Sequence, residues 1–270
     1  YDSIISNWFK KDKDHNFKIK NHKKIKLKYG ENPHQKSFFY KRKNKKTFLD
    51  NVLQGKNISY NNILDIDSAL NCLSEFVEPT CIIVKHNNPC GVSSSKKILT
   101  AYKKAYASDQ ISAFGGIVAL NRLVTANLAR QISRNFFEII IAKNFTNAAL
   151  KIFNKKKKLI IIKSEKVLID KKKDIKSING GYIIQNKNLI KISLKNLNCV
   201  SNKKATKSML EDLIFSLKVC KHVKSNSIVL AKNKQTIGIG AGQMSRVDST
   251  KLSLTKANNK ILKKGFVAAS

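Results

Sequence analysis

The sequence predicts an α/β fold built in layers, and three observations carry that reading. Short β-branched runs at 81–84, 117–120 and 137–141 read as buried strands. Between and around them lie segments with apolar residues at helical spacing, near 65–76, 96–107 and from Thr125 to about Arg134. Strand, helix, strand alternation of this kind points to layered packing with parallel pairing. At 270 residues and 42% apolar content, the chain can bury a core as one large or two smaller domains, and wholesale disorder is set aside.

Taken in order, residues 1–9 place Ile4, Ile5, Trp8 and Phe9 on one face, as in the tail of a helix. Residues 10–26 are polar and charged and read as a linker, and 27–35 form a turn-rich stretch with an aromatic and a cation together. Tyr60-Asn61-Asn62 leads into the first helix, whose stripe is Ile66, Ala69, Leu70 and Leu73. Cys81-Ile82-Ile83-Val84 is then a strand that Asn87-Asn88-Pro89 should stop, because Pro lacks a ladder donor and Asn favours turns. Lys85 and His86 fall where strand gives way to loop, so ammonium and imidazole can converge on one substrate. Lys can stabilise developing negative charge, and His accepts a proton near neutral pH. The same dipeptide is also readable as a snorkelling Lys beside a structural His.

Ile98, Tyr102 and Ala105 mark the next helix, and Ser112 to Gly116 precedes a strand whose paired glycines allow close backbone approach. Thr125 is placed to cap the following helix. Glu138 sits among apolar neighbours, where a buried carboxylate would need donors and an outward edge position would not. Residues 151–202 are irregular and polar, with a strand at 159–162 and a turn at Asn179-Gly180-Gly181. Ser208 and Glu211 have capping-box spacing before a helix with Leu210, Leu213, Ile214 and Leu217 on one face. A strand at 228–231, a turn at Asn233-Lys234 and a strand at 236–239 make a hairpin. The glycine-rich stretch from Gly238 to Arg246 then opens a final helix toward Leu262, a turn suited to an anionic ligand.

The formal net charge of +36 allows two readings. One is nucleic-acid binding. The other is codon drift toward Lys, Asn and Ile, favoured because the lysines are spread through the chain and are not interleaved with aromatics. Five cysteines (Cys72, Cys81, Cys90, Cys199, Cys220), odd in number and without C-x-x-C spacing, argue for a reducing, cytoplasmic setting and against a zinc site or disulfide framework. No apolar run reaches membrane-span length, and no signal-peptide pattern begins at Tyr1.

Seven collinear segments carry a resemblance. They are Lys28-Tyr29-Gly30-Glu31-Asn32-Pro33-His34-Gln35; Leu53-Gln54-Gly55-Lys56 with Ser59 to Asn62; Val84 to Gly91; Ser112 to Asn121; Phe137 to Ala142; Val223-Lys224-Ser225-Asn226; and Thr236 to Val247. Together they resemble the transformylase region of the bifunctional AICAR transformylase/IMP cyclohydrolase family of purine biosynthesis. The resemblance implies duplicated cytidine-deaminase-like three-layer domains working as a homodimer with active sites at the interface. It implies the end of an upstream cyclohydrolase domain and linker at 1–20, a first transformylase subdomain at 21–150, a connecting region at 151–205 and the start of a second subdomain at 206–270.

The implied reaction moves a formyl group from 10-formyltetrahydrofolate to the 5-amino group of the AICAR nucleotide. By the same resemblance His86 is the proton acceptor and Lys85 the transition-state stabiliser, with Asn226 also in the catalytic set. Lys28, Tyr29, His86, Gly115, Glu138, Asn226 and Arg246 fall on nucleotide-binding positions, and Val247 falls on a folate-side position. Deaminases of the fold carry P-C-x-x-C; here Pro89-Cys90 is followed by Ser93, so no metal is expected. The family usually has Arg where this chain has Lys28, which cannot make a planar two-pronged contact. The family also has a cyclohydrolase domain before the position of Tyr1 and a folate-holding segment after that of Ser270. The contrasting expectation is an inactive basic remnant that binds nucleotides or nucleic acid non-specifically.

Overall fold

The computed structural model describes residues 19, 21–55, 57–165, 173–257 and 265–270, so the helical reading of 1–9 and the far end of the last helix lie outside the described residues. The first half runs β1 (His22–Lys26), β2 (Phe38–Arg42), β3 (Val52–Gln54), α1 (Tyr60–Leu73), β4 (Thr80–Lys85), β5 (Asn88–Ser94), α2 (Ile98–Ser108), α3 (Gln110–Ala113), β6 (Ile117–Val124), α4 (Ala126–Ser133), β7 (Ile139–Phe145) and α5 (Asn147–Phe153). The second runs β8 (Ile160–Lys163), β9 (Lys173–Ile178), β10 (Gly181–Asn186), α6 (Lys207–Cys220), β11 (Ile228–Lys232), β12 (Gln235–Gly240), α7 (Arg246–Lys256) and β13 (Val267–Ala269).

Nine strands form one mixed sheet in the order β13-β11-β12-β5-β4-β6-β7-β8-β3. The alternation of side chains along β4 explains why helices cover both faces. Ile82 and Val84 point into a core shared with α1 and α6, while Cys81 and Ile83 point into one shared with α2, α4 and α5. All four are fully buried, which is why this strand reads as a continuous apolar run. The result is a three-layer α/β/α arrangement.

Several local expectations are corrected. Pairing is parallel at β6-β7 and β7-β8, but β4 is antiparallel to both neighbours: its two-residue connection to β5 admits nothing else, and the crossover through α2 sets the direction of β6. The first helix starts at Tyr60 because Ser59 closes a capping box with Asn62. Thr206, not Ser208, caps α6: its hydroxyl accepts from the Met209 amide, and Ser208 lies inside the first turn. Thr125 occupies its cap position without a side-chain bond to the helix. Residues 151–202, expected to be irregular, contain the β9-β10 hairpin around Asn179-Gly180 and the end of α5.

An internal repeat underlies the sheet. The order α1-β4-β5-α2-β6 recurs as α6-β11-β12-α7-β13, and the same step of 147 residues (212 − 65) carries Asp65 to Asp212, Lys85 to Lys232, His86 to Asn233 and Gly91 to Gly238. The two units meet where β12 lies antiparallel to β5. The ladder there is short, with Gln235 opposite Ser93. Thr236 extends it through its side chain, since Oγ1 accepts from Val92 N at 2.9 Å and faces Val92 O at 3.2 Å. Behind α1 and α6, Glu75 accepts from Lys221 Nζ at 2.7 Å and lies 3.2 Å from His222 Nε2.

Two checks follow from this packing. A Cβ at Gly91 would lie 2.0 Å from the Ala105 carbonyl oxygen of α2, so Gly91→Ala should cost about 1–3 kcal/mol or more in urea denaturation. Gly181, with nothing within 4 Å, should tolerate Ala within about 0.5 kcal/mol. Burial pushes the Glu75 carboxyl up, but the bonds from His222 and Lys221 outweigh it and hold the group below its ordinary value. A depressed carboxylate stabilises the fold above its unfolded pKa, and that contribution is lost as pH falls through the folded one. Glu75→Gln should therefore flatten the loss of stability below about pH 4.5, read as unfolding free energy against pH.

Candidate active site

Two residues, His86 (φ +48°) and Asn87 (φ +63°), join β4 to β5, both in the left-handed region. That is the geometry a two-residue hairpin demands, and it costs an L-residue such as His about 1 kcal/mol. Asn88 and Pro89 begin β5 and do not end β4, contrary to the expectation from sequence. Pro89 sits opposite Val84 beside a register shift, where a missing amide is tolerated. The turn is held from α1. Asn87 N donates to Asp65 Oδ1 at 2.5 Å, and Ser68 Oγ donates to Asn87 O at 3.1 Å. Burial pushes the Asp65 carboxyl above its usual range, against the lowering effects of the Asn87 amide, His86 and Lys85.

Strand directions bring the other candidates to the same edge of the sheet. The C-terminal ends of β4 and β12 lie beside the N-terminal ends of β5, β6, β7 and β11. Lys85 reaches across to Gly115, where a Cβ would fall 2.9 Å from its Nζ. Its ammonium makes no hydrogen bond or ion pair among the described residues. Gly115 has φ +68° and donates its amide to Phe136 O. Glu138 is exposed just before β7; its amide donates to Gly116 O and its carboxylate accepts from Asn62 Nδ2 at 2.9 Å. The outward edge position, with a donor, is thus the observed one.

Lys28 and Tyr29 flank this group through α1. Tyr60 N donates to Tyr29 O, Lys28 N donates to Ile58 O, and Lys28 Nζ stands 5.2 Å from the Tyr29 ring centroid. On the other flank Asn88 Oδ1 accepts from Lys224 N at 2.9 Å. The 224–226 loop then pairs with Gln243, and Asn226 Nδ2 donates to Gln243 O and Met244 O. Arg246 is exposed in the first turn of α7, its Nε 3.3 Å from Ser270 Oγ, and Val247 is exposed beside it. Lys85, His86, Gly115 and Glu138 are thereby neighbours, with Asn226 and Arg246 to one side and Lys28 and Tyr29 to the other.

The profile of the AICARFT/IMPCHase bienzyme family matches residues 1–256. The chain belongs to that family. Bifunctional purine biosynthesis protein PurH of Caldicellulosiruptor bescii is 46% identical over 281 aligned positions, covering 100% of this chain and 54% of that protein. The PurH proteins of Buchnera aphidicola subsp. Schizaphis graminum and Oceanobacillus iheyensis are 46% and 40% identical, covering 96% and 100% of this chain and 53% and 54% of their own lengths. The chain spans about half the length of the curated relatives it matches.

Within this AICARFT/IMPCHase architecture, Asp65 and Asn88 were not singled out from sequence. A helical Asp and an Asn at a strand start carry no local mark of the partner they will meet, and Asn62 lies in one of the resembling segments with no role implied for it. Its side chain does two jobs, closing the α1 cap through its oxygen and donating to Glu138 through its amide nitrogen. Cys90, beside the turn, has its thiol pushed up to about 12 by burial, so it is no thiolate nucleophile. Among the described residues no group of three or more His, Cys, Asp or Glu side chains is placed to hold a metal ion.

Gly115→Ala tests the neighbourhood of Lys85. The added methyl would meet the ammonium and occupy a φ suited to glycine. Loss of at least about tenfold in nucleotide affinity or turnover is expected, since a 1 Å misplacement near reacting groups is worth up to about 100-fold. Unchanged affinity and turnover in a folded variant would place Lys85 outside the site.

Proposed function

We propose that the site catalyses transfer of a formyl group from 10-formyltetrahydrofolate to the 5-amino group of the AICAR nucleotide. The observation that carries the reading is the Lys85 ammonium, which makes no hydrogen bond or ion pair among the described residues and lies beside Gly115, next to an exposed imidazole on a clamped turn. Its counterpart in the repeat, Lys232, is engaged with the Gly265 carbonyl at 2.6 Å, and an Asn replaces the His. One unit thus presents a cation-imidazole pair, while in the other the cation is engaged and the imidazole is replaced by an amide.

In this reading the aromatic amine attacks the formyl carbon as His86 takes the proton that the amine loses. Lys85 stabilises the charge on the formyl oxygen and can supply a proton to the departing folate nitrogen. The bond formed is the new amide C–N and the bond broken is formyl carbon to folate nitrogen, so no redox change occurs. Arg246 and Lys28 supply cations for the phosphate, Gly115 permits close approach, and Glu138 and Asn226 offer groups for the ligand's polar edges. Val247 lies toward the folate.

We assign the whole protein to the cytoplasm as a homodimer, a reading that the free thiols and the exposed Ile175, Ile183 and Ile184 of the β9-β10 hairpin support. Among the described residues no helix is long and apolar enough to cross a membrane. The net charge of +36 favours a second reading, non-specific polyanion binding by an inactive remnant.

Calorimetric titration of the chain with AICAR nucleotide at physiological salt separates the two. Saturable one-to-one binding that survives added salt is expected, whereas a steep loss as salt rises supports the remnant. In the whole protein His86→Ala should lower turnover by about 100- to 10,000-fold, the usual worth of a general base. Lys28→Arg should tighten nucleotide binding by about tenfold through a forked contact. Unchanged affinity would remove Lys28 from the phosphate site.

A further inference from the structure

We propose that Asp65 is a positioning residue for the Lys85-His86 pair, an assignment that rests on the formyl-transfer reading above. The imidazole can face the edge of the sheet only while His86 and Asn87 keep their left-handed conformation. Two of the side chains that hold this turn, Asp65 and Ser68, come from α1, and the third is Asn88, whose Nδ2 donates to His86 O at 3.1 Å. Asp65 receives the shortest of the three bonds. Its helix cannot shift to follow the turn, because Ile66 and Ala69, which follow Asp65 in the next turn of the helix, are fully buried in the core. Asp67, two residues on, accepts from Asn71 Nδ2 within the same helix and takes no part.

The repeat contains the same device without the chemistry. Asp212 occupies the Asp65 position of α6, and the turn it holds is Asn233-Lys234, with φ +51° at both residues. Asn233 N donates to Asp212 Oδ2 at 2.8 Å and Lys234 N to Oδ1 at 2.7 Å. Lys234 is paired with Glu78 at 2.8 Å and Glu211 at 3.3 Å. A carboxylate on the second turn of a helix therefore fixes a left-handed hairpin turn twice, and only the first of these turns carries His86. The two aspartates form a matched pair, equal in structural duty and different in what depends on them.

The test uses the whole protein that contains this chain, with Asp65→Ala, Asp65→Asn and Asp212→Ala compared with the parent. Asp65→Ala should lower kcat about 30- to 100-fold, the scale of a misplaced catalytic group, while KM for the nucleotide changes less than about threefold. Asp65→Asn retains an acceptor oxygen for the Asn87 amide and should recover most of the loss. Asp212→Ala should lower Tm about as much as Asp65→Ala and leave kcat within about threefold. Equal losses of kcat in the two Ala variants, or full activity in Asp65→Ala, would overturn the proposal.

Amide exchange at Asn87 provides a readout independent of turnover. Fast exchange in Asp65→Ala and protection in the parent are expected, and protection in both would overturn the clamp. A parent that binds no nucleotide and transfers no formyl group, with the Asn87 pattern as expected, would instead remove the functional reading alone.

Discussion

A pair of residues in the left-handed region, His86 and Asn87, is the constraint on which the edge bearing the candidate site depends. Two residues are too few to let β5 run in any sense but antiparallel to β4. That choice puts the start of β5 and the end of β4 side by side, and the crossover through α2 then brings the start of β6 to the same edge. Gly115 and Lys85 meet as a consequence, and the start of β7 follows with Glu138. An unfavourable backbone conformation is tolerated because the helix beneath it is fixed by burial and supplies the acceptor for the Asn87 amide.

The repeat shows how one architecture carries two different surfaces. Gly91 and Gly238 serve the same purpose, letting α2 and α7 lie against strand backbone where a Cβ would be 2.0 Å from a carbonyl oxygen in each case. Lys85 and Lys232 occupy equivalent places and behave differently. The second is bound to the Gly265 carbonyl and the first is not. Identity of residue type is therefore a poor guide to role here, and the partner of each ammonium decides the matter.

What was legible in the sequence was local. Strands with consecutive β-branched residues, the paired glycines at 115–116 and the Lys-His step at the end of β4 are marked by their own composition and by neighbours within a few positions. Strand direction was not legible, because the antiparallel placement of β6 against β4 is settled by a crossover that no window of sequence displays. The cap of α6 was misassigned by two residues since Thr206 and Ser208 both have suitable hydroxyls and only backbone geometry separates them. The turn at Asn179-Gly180 was legible but the strands of the β9-β10 hairpin were not, because Lys173 and Lys176 in β9 and the adjacent Ile183 and Ile184 in β10 blur the apolar alternation that would announce them. Asp65 lies 22 residues from the amide it holds, beyond the reach of any motif.

The seam between β5 and β12 has a mechanical meaning. Most neighbouring strands share several backbone pairs, but here Gln235 faces Ser93, Ser94 N donates to Lys234 O, and the hydroxyls of Thr236 and Ser93 supply further links. Tension applied across the sheet would load these few polar links before it strained a longer ladder. Beneath them the two units share one apolar core, where Ile66, Ile82 and Val84 of the first lie with Phe215, Val219 and Val229 of the second, so parting the stitched join would also bring that core into water.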